Sequence, residues 1–267
     1  MSYWLGIDVG SAFTVAAICR EESGRRALPE VVPLGGRSAF VSSVVYLGPD
    51  GQAVVGEAAE RRAVTDPDRV VREFKRRIGD GVPMVIGGVS QSVSQITALV
   101  VSWVVERVAQ RERGPAQGIT ITHPTSWGVH QIQAVADALR AVDVPELMFC
   151  TEPQAAAASY SIQQRVDSGS TIAVYDLGGR TFDATVVRKT HTGTFSVLGV
   201  PERIPRLGGA EFDDAVFGHL TAAVPALGQP DPETTATVAA TARQRRSVVL
   251  CRRECTQAKE TLSTPPT

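Results

Sequence analysis

Two stretches of the chain share one pattern of apolar and polar positions. Leu5-Gly6-Ile7-Asp8-Val9-Gly10-Ser11-Ala12-Phe13-Thr14-Val15 and Val174-Tyr175-Asp176-Leu177-Gly178-Gly179-Arg180-Thr181-Phe182-Asp183-Ala184 each run from an apolar segment through Asp-x-Gly and small or polar residues to a second apolar segment. The pattern predicts a strand, a tight glycine-bearing turn and an antiparallel return strand. The Asp sits where the first strand ends and can reach a metal-bound water there. The turn can aim backbone N–H groups and hydroxyls at phosphate oxygens, with glycine allowing close approach. A single Asp-x-Gly is a common surface turn, so the information lies in its repetition.

Between and after these hairpins, strand-like and helix-like periods alternate. Val41 to Leu47 reads as a β-branched strand, followed by the turn Gly48-Pro49-Asp50-Gly51 and a strand through Val54-Val55. Gly56 to Val64 and Asp68 to Ile78 read as two helices separated by Asp66-Pro67. Gln95 to Arg111 is amphipathic, apolar at Ile96, Leu99, Val100, Trp103, Val104 and Val108. A strand at Gly118–Pro124, a helix at Val129–Ala141 and a strand at Leu147–Cys150 follow, and Glu152-Pro153 opens a helix from Gln154 to Gln163. Beyond the polar break Asp167–Ser170 and the second hairpin come a strand at Thr194–Val200 and a helix at Ala210–Leu220. A Pro/Gly-rich loop over 225–232 leads to a last helix over about 234–262, whose face Val248, Cys251, Cys255, Ala258 and Leu262 fits docking on a core. Strands alternating with helices predict a mixed α/β protein, and Thr264-Pro265-Pro266-Thr267 resembles the start of a linker.

The 267 residues can bury a sizeable core and divide into two parts. A formal net charge of -1 argues against bulk attraction to nucleic acid or to an anionic membrane. No apolar run reaches the ~18 residues that a membrane span needs. Met1 to Val9 lacks the basic start of a signal peptide, so a cytoplasmic location with reduced thiols is expected. Cys19, Cys150, Cys251 and Cys255 show no Cys-x-x-Cys spacing, and no His lies near the 251/255 pair. They read as small apolar residues rather than metal ligands. His123, His130, His191 and His219 are scattered and read as structural or surface residues.

Separated segments, in order, make the chain resemble the nucleotide-binding domain of DnaK-type heat-shock chaperones in the actin-like ATPase superfamily. They are Gly6–Ser11, Glu73-Phe74-Lys75-Arg76-Arg77-Ile78-Gly79, Thr151-Glu152-Pro153-Gln154-Ala155-Ala156-Ala157, Asp176–Asp183, and Leu207–Asp213 with Gln257–Ser263. The resemblance implies an α/β, ribonuclease H-like two-lobe fold whose second lobe is incomplete at its C-terminal end. The first lobe would be 1–166, with a small subdomain inserted at about 36–92. The second would be 167–267, with a helical subdomain from about 208.

The resemblance also implies an ATPase that binds Mg2+ with ATP or ADP between the lobes and hydrolyses ATP slowly to drive a conformational switch. Lys75, Glu152, Asp176, Asp8 and Thr181 would be catalytic. Gly10, Ser11, Ala12, Phe13, Gly178, Gly179, Arg180, Gly208, Gly209, Lys259 and Ser263 would bind nucleotide. Asp8, Asp176 and Asp183 would serve the metal, largely through water. Implied partners are a C-terminal domain or linker beyond residue 267 and a co-chaperone or exchange factor, with no nucleic acid and no membrane insertion. Against the family pattern, Arg180 replaces a glycine, Ala12 a threonine and Glu260 the arginine that stacks on adenine. Arg180 either hampers the phosphate's approach or supplies it with a cation. These departures support an alternative, a non-catalytic pseudo-ATPase serving as a regulatory or scaffolding module.

Overall fold

The structure is a computed structural model, and it describes residues 2–22, 25–26, 28–36, 38–144, 146–224 and 238–263. Strands are β1 (Tyr3–Val9), β2 (Phe13–Glu22), β3 (Arg25–Arg26), β4 (Glu30–Val32), β5 (Phe40–Ser42), β6 (Val45–Leu47), β7 (Ala53–Val55), β8 (Val70–Val71), β9 (Met84–Ile86), β10 (Val89–Gln91), β11 (Gly118–His123), β12 (Leu147–Thr151), β13 (Thr171–Leu177), β14 (Phe182–Lys189) and β15 (Phe195–Ile204). Helices are α1 (Glu57–Ala63), α2 (Val93–Glu112), α3 (Val129–Arg140), α4 (Glu152–Gln163), α5 (Gly209–Ala223) and α6 (Val238–Leu262).

The larger sheet has seven strands in the order β12-β11-β1-β2-β3, with β4 and β5 also pairing β2. β1 runs antiparallel to β2 and parallel to β11, and β11 is parallel to β12. The alternation in β1 becomes a buried row of Tyr3, Leu5, Ile7 and Val9. That row joins a continuous core with Ile96, Val100, Val104 and Val108 of α2, Ile119 and Ile121 of β11, and Val135 and Leu139 of α3. α2 starts cleanly because Ser92 and Gln95 form a reciprocal cap, the Gln95 N–H donating to Ser92 Oγ and the Ser92 N–H to Gln95 Oε1.

The second hairpin extends into a three-stranded antiparallel sheet, β13-β14-β15. Its own core is small: Ala157 of α4 with Val187 and Phe195, and Ile172, Val174 and Val197 packed partly against them. α5 and α6 pack on each other, joined by the Asp214–Arg252 ion pair and by Arg252 stacked 4.2 Å from the Phe217 ring centre. In α6 the side chain of Cys255 is buried, whereas Ala258 and Leu262 are exposed, so the docking face ends about two turns earlier than its spacing implies. The Pro/Gly-rich loop over 225–232 and the start of the last helix lie outside the described residues.

The expected helix over Asp68–Ile78 does not form. In its place a 3-10 turn (Pro67–Arg69) leads to β8, which pairs β6 in the small sheet β7-β6-β8, and a second 3-10 turn covers Phe74–Arg77. Val70 and Val71 are β-branched and find a strand partner in Tyr46 and Val45. Glu73 then takes a left-handed conformation at φ 54°, which breaks the helical run. The expected strand Val41–Leu47 is split into β5 and β6, which pair with different sheets. The hairpin β9–β10 turns at Gly87-Gly88, both with positive φ, and was not anticipated.

Candidate functional site

The two hairpins close in the same way. The Gly10 N–H donates to the Phe13 carbonyl at 2.9 Å, and the Gly178 N–H donates to the Thr181 carbonyl at 2.9 Å. Val9 faces Thr14 in the first, and Leu177 faces Phe182 in the second. Gly10, Ser11, Ala12 and Phe13 therefore occupy the places of Gly178, Gly179, Arg180 and Thr181, and Asp8 that of Asp176. The turns meet, because a side chain on Gly179 would come within 2.6 Å of the Ala12 Cβ. The first turn is also tied to the chain between β5 and β6, with the Ser43 N–H on the Ala12 carbonyl and Thr14 and Ser43 hydroxyls 2.8 Å apart.

Lys75 links the two hairpins' surroundings. Its side chain is 9 % exposed, with Nζ 2.6 Å from Glu152 Oε1 and 3.7 Å from Asp8 Oδ1. Phe74, buried in the large core, anchors the turn that presents it. Asp8 in turn accepts a 2.7 Å hydrogen bond from the Thr122 hydroxyl at the end of β11. Glu152 sits in the first turn of α4, where the helix dipole favours a carboxylate. Gln154 holds that helix start in place: its Oε1 accepts from the Thr151 N–H, and its amide nitrogen donates to the Phe195 carbonyl of β15 at 2.7 Å.

Asp176, Asp183 and Arg203 lie side by side across β13, β14 and β15. Arg203 pairs with Asp183 at 3.0 Å and donates to Ser126 Oγ at 2.6 Å, joining the second sheet to the loop after β11. An open cavity of about 310 Å³ is lined by Asp8, Thr122 and Glu152 together with Val174, Tyr175 and Asp176, and a smaller one beside it by Glu152, Asp176 and Asp183. Burial raises the Asp176 carboxyl above its ordinary range, and repulsion from Asp8 and Asp183 adds to it. Burial likewise raises Glu152 against the opposing pull of Lys75. Asp8, Glu152 and Asp176 thus gather around one lysine while Asp183 is held by Arg203, and the excess of carboxylates over cations favours an incoming cation. Among the described residues no three His, Cys, Asp or Glu groups close on one point tightly enough to ligate an ion directly. The donor set suits a hard ion held through water and ligand oxygens, as Mg2+ commonly is.

Other sequence-predicted residues are committed to protein partners. The Gly209 and Ala210 N–H groups donate to the carbonyls of Gly178 and Gly179, so the α5 start caps the second turn. Gly208 packs on Arg180, where an added Cβ would sit 2.5 Å from the Arg180 nitrogen. Arg180 donates to Glu211 at 3.0 Å and to Glu73 at 2.6 Å. Lys259 pairs with Asp213 at 2.6 Å and donates to the Gly209 carbonyl, while the Ser263 hydroxyl donates to the Lys259 carbonyl one turn back. His123 is a core residue: it is buried against Trp127, its Nδ1 lies 2.9 Å from the Pro124 carbonyl, and burial lowers its pKa. No disulfide joins the four cysteines.

Thr122, Ser126, Arg203, Glu73 and Glu211 were missed by sequence reasoning. Thr122 ends a strand adjacent to the Asp8 strand, a placement that only the parallel β1–β11 pairing reveals. Glu73 stands two residues before Lys75 and could have been noted as a potential partner for a nearby cation.

A family model described as "Hsp70 protein" matches residues 4–86 and 81–266. The chaperone protein DnaK of Elusimicrobium minutum (strain Pei191) is 34% identical over 220 residues, covering 81% of this chain and 35% of that protein. The chaperone protein DnaK of Endomicrobium trichonymphae is 32% identical over 223 residues, covering 82% and 35%. The chain thus spans about a third of the length of the curated relatives it matches.

Proposed function

The chain belongs to the Hsp70 family, and from that premise we propose that its carboxylate-and-lysine cleft binds Mg-ATP between two lobes and hydrolyses it slowly to drive a conformational switch. The observation that carries this reading is the convergence of Asp8, Glu152 and Asp176, drawn from three separate elements, on one open cavity, with Lys75 paired to Glu152 and Asp8 beside it and the two matching turns in contact. Phosphoryl transfer asks a protein mainly for positioning and charge stabilisation. Lys75, held by Glu152 and Asp8, offers a fixed cation beside the cavity to neutralise a terminal phosphate and orient the attacking water. Asp8, Asp176 and Asp183 would hold Mg2+ through its waters, and the ion would offset phosphate charge. Ser11, Gly178, Gly179 and Thr181 would face the phosphates from the two turns. Lys259 and Ser263 would reach the adenosine, which requires Lys259 to exchange its Asp213 partner.

The switch would act on chain beyond residue 267, a substrate-binding domain in the manner of a chaperone, with co-chaperone or exchange factors as partners. Phosphate release from Mg-ATP tests the proposal. Turnover is expected in the wild type, with a loss of roughly 10²–10³-fold in Lys75→Ala assayed well below its melting temperature. Equal turnover in the two proteins would remove Lys75 from the reaction.

A second reading, a regulatory module that binds nucleotide without turning it over, is favoured by Arg180 and Lys259. Both cations are engaged by protein carboxylates, Glu73 with Glu211 and Asp213, rather than presented to the cleft. Saturable Mg-ATP binding with no phosphate release would select it.

A further inference from the structure

Arg180 stands at the tip of the second turn, where that turn meets Ala12 of the first. Its guanidinium reaches in two directions. One arm goes to Glu211 in the opening turn of α5, at 3.0 Å, and the other to Glu73, two residues before Lys75, at 2.6 Å. These arms differ in kind. α5 is fixed to the second turn by its own backbone, through the Gly209 and Ala210 amides and the close packing of Gly208 on Arg180. The Glu211 arm therefore stays within one structural unit. The Glu73 arm crosses to the segment that carries Lys75, and the Glu73 side chain is 39 % exposed. Glu73 also holds a left-handed backbone conformation at φ 54°, unfavourable for a residue with a side chain.

The cation's hydrogen-bonding capacity is not filled. Arg180 Nε and Glu211 Oε2 are both buried without a hydrogen-bond partner among the described residues. A guanidinium offers five N–H donors in a planar fork that suits phosphate oxygens at least as well as a carboxylate.

We infer that Arg180 is an ionic latch joining the second turn to the Lys75 segment, and that a polyphosphate entering the cleft opens it by taking the guanidinium from Glu73. The phosphate part rests on the Mg-ATP reading above; the latch itself does not. Two consequences follow for the unliganded protein. The latch holds the Lys75 segment against the second turn, and its strength falls as salt screens a half-exposed pair. Ligand binding must first break one arm, so removing the Glu73 charge favours the ligand.

Hydrogen exchange at the amides of 73–78 reads the latch without nucleotide. At low salt, Arg180→Ala and Glu73→Gln are each expected to raise exchange there by roughly three- to tenfold, and raised salt should do the same to the wild type only. Exchange unchanged in both variants overturns the latch. Titration with Mg-ATP then reads the competition. Glu73→Gln is expected to bind roughly three- to tenfold more tightly than the wild type, with the gap narrowing as salt rises. Equal or weaker binding by Glu73→Gln overturns the opening by phosphate. If neither protein binds nucleotide, the ATP reading fails, and tripolyphosphate decides the opening by the same comparison, no gain for Glu73→Gln overturning it.

Discussion

The two hairpins have one geometry and two surroundings. The first lies inside a seven-stranded sheet, its inward row Tyr3, Leu5, Ile7 and Val9 packed into the large core. The second lies in a three-stranded sheet whose apolar core is Val187 and Phe195 with Ala157 of α4, and with Tyr175, Leu177, Val200 and Ile204 exposed. The first turn is small and neutral at its tip, Ser11-Ala12; the second carries a charge, Arg180, held by carboxylates from two elements. The first hairpin is thus positioned by burial, and the second by polar links: Gln154 to Phe195, Arg203 to Ser126, and Arg180 to Glu73. Burial gives rigidity that salt barely affects, whereas polar links between exposed groups are weaker and tunable. On the Mg-ATP reading proposed above, one rigid wall and one adjustable wall would suit opening and closing around the ligand.

The largest expected effect concerns the lysine between those walls. Lys75→Ala leaves Glu152 buried without its cation, at a cost of about 3–5 kcal/mol, and the added change Glu152→Gln should recover much of it. Urea titration of the two proteins measures the difference; an equal loss in the double variant would mean that the pair is not what holds the Lys75 segment.

The glycines that open the two turns give the next test. An alanine Cβ at Gly10 would sit 2.5 Å from the Phe13 carbonyl oxygen, closer than any atom tolerates, whereas at Gly178 the nearest atom is 3.5 Å away. Gly10→Ala is expected to cost about 1–3 kcal/mol and Gly178→Ala less than about 0.5 kcal/mol. Matching losses by thermal melting would show the turns to be less different than their geometry indicates.

Hydrogen exchange should separate the sheets more gently. Amides of β1 and β11 are expected to be protected to near global stability and those of β13 and β15 to exchange faster, because the second sheet has fewer buried contacts. Uniform protection would erase the contrast.

The smallest effect comes from charge crowding at Asp176. Its carboxyl binds a proton more tightly in the folded protein than in the unfolded chain. Between the ordinary carboxylate range and that higher value the native state holds more protons, so this group's share of stability falls as pH rises through the window. Asp176→Asn should therefore raise the melting temperature at pH 7 by roughly 1–3 °C, a modest gain because the side chain is partly open to water, and flatten the slope. A lowered melting temperature would show that Asp176 is favourably paired instead.

The hairpins were legible because strand alternation and turn chemistry are local, and their repetition stood out against the background. The α2 helix was legible for the same reason, its cap and stripe lying within one stretch of chain. The Lys75 segment was not. Its charged and apolar residues suit a helix, but strand pairing of Val70-Val71 with β6 and the left-handed Glu73 decide its shape, and both depend on contacts far along the chain. Asp8, Lys75, Glu152 and Asp176 could be named from the resemblance; the structure brings Asp8, Glu152 and Asp176 to one cavity and pairs Lys75 with the first two. Thr122 and Arg203 could not, since each matters through a partner that only the folded chain supplies. Arg180 was visible as a departure, while its carboxylate partners were not.

The claim that the paired turns and Lys75 form a nucleotide cleft is tested most directly by calorimetric titration of Mg-ATP into the wild-type protein. The account predicts saturable heat at one site per chain, reduced by raised salt. No heat and no shift in melting temperature at millimolar nucleotide would contradict it.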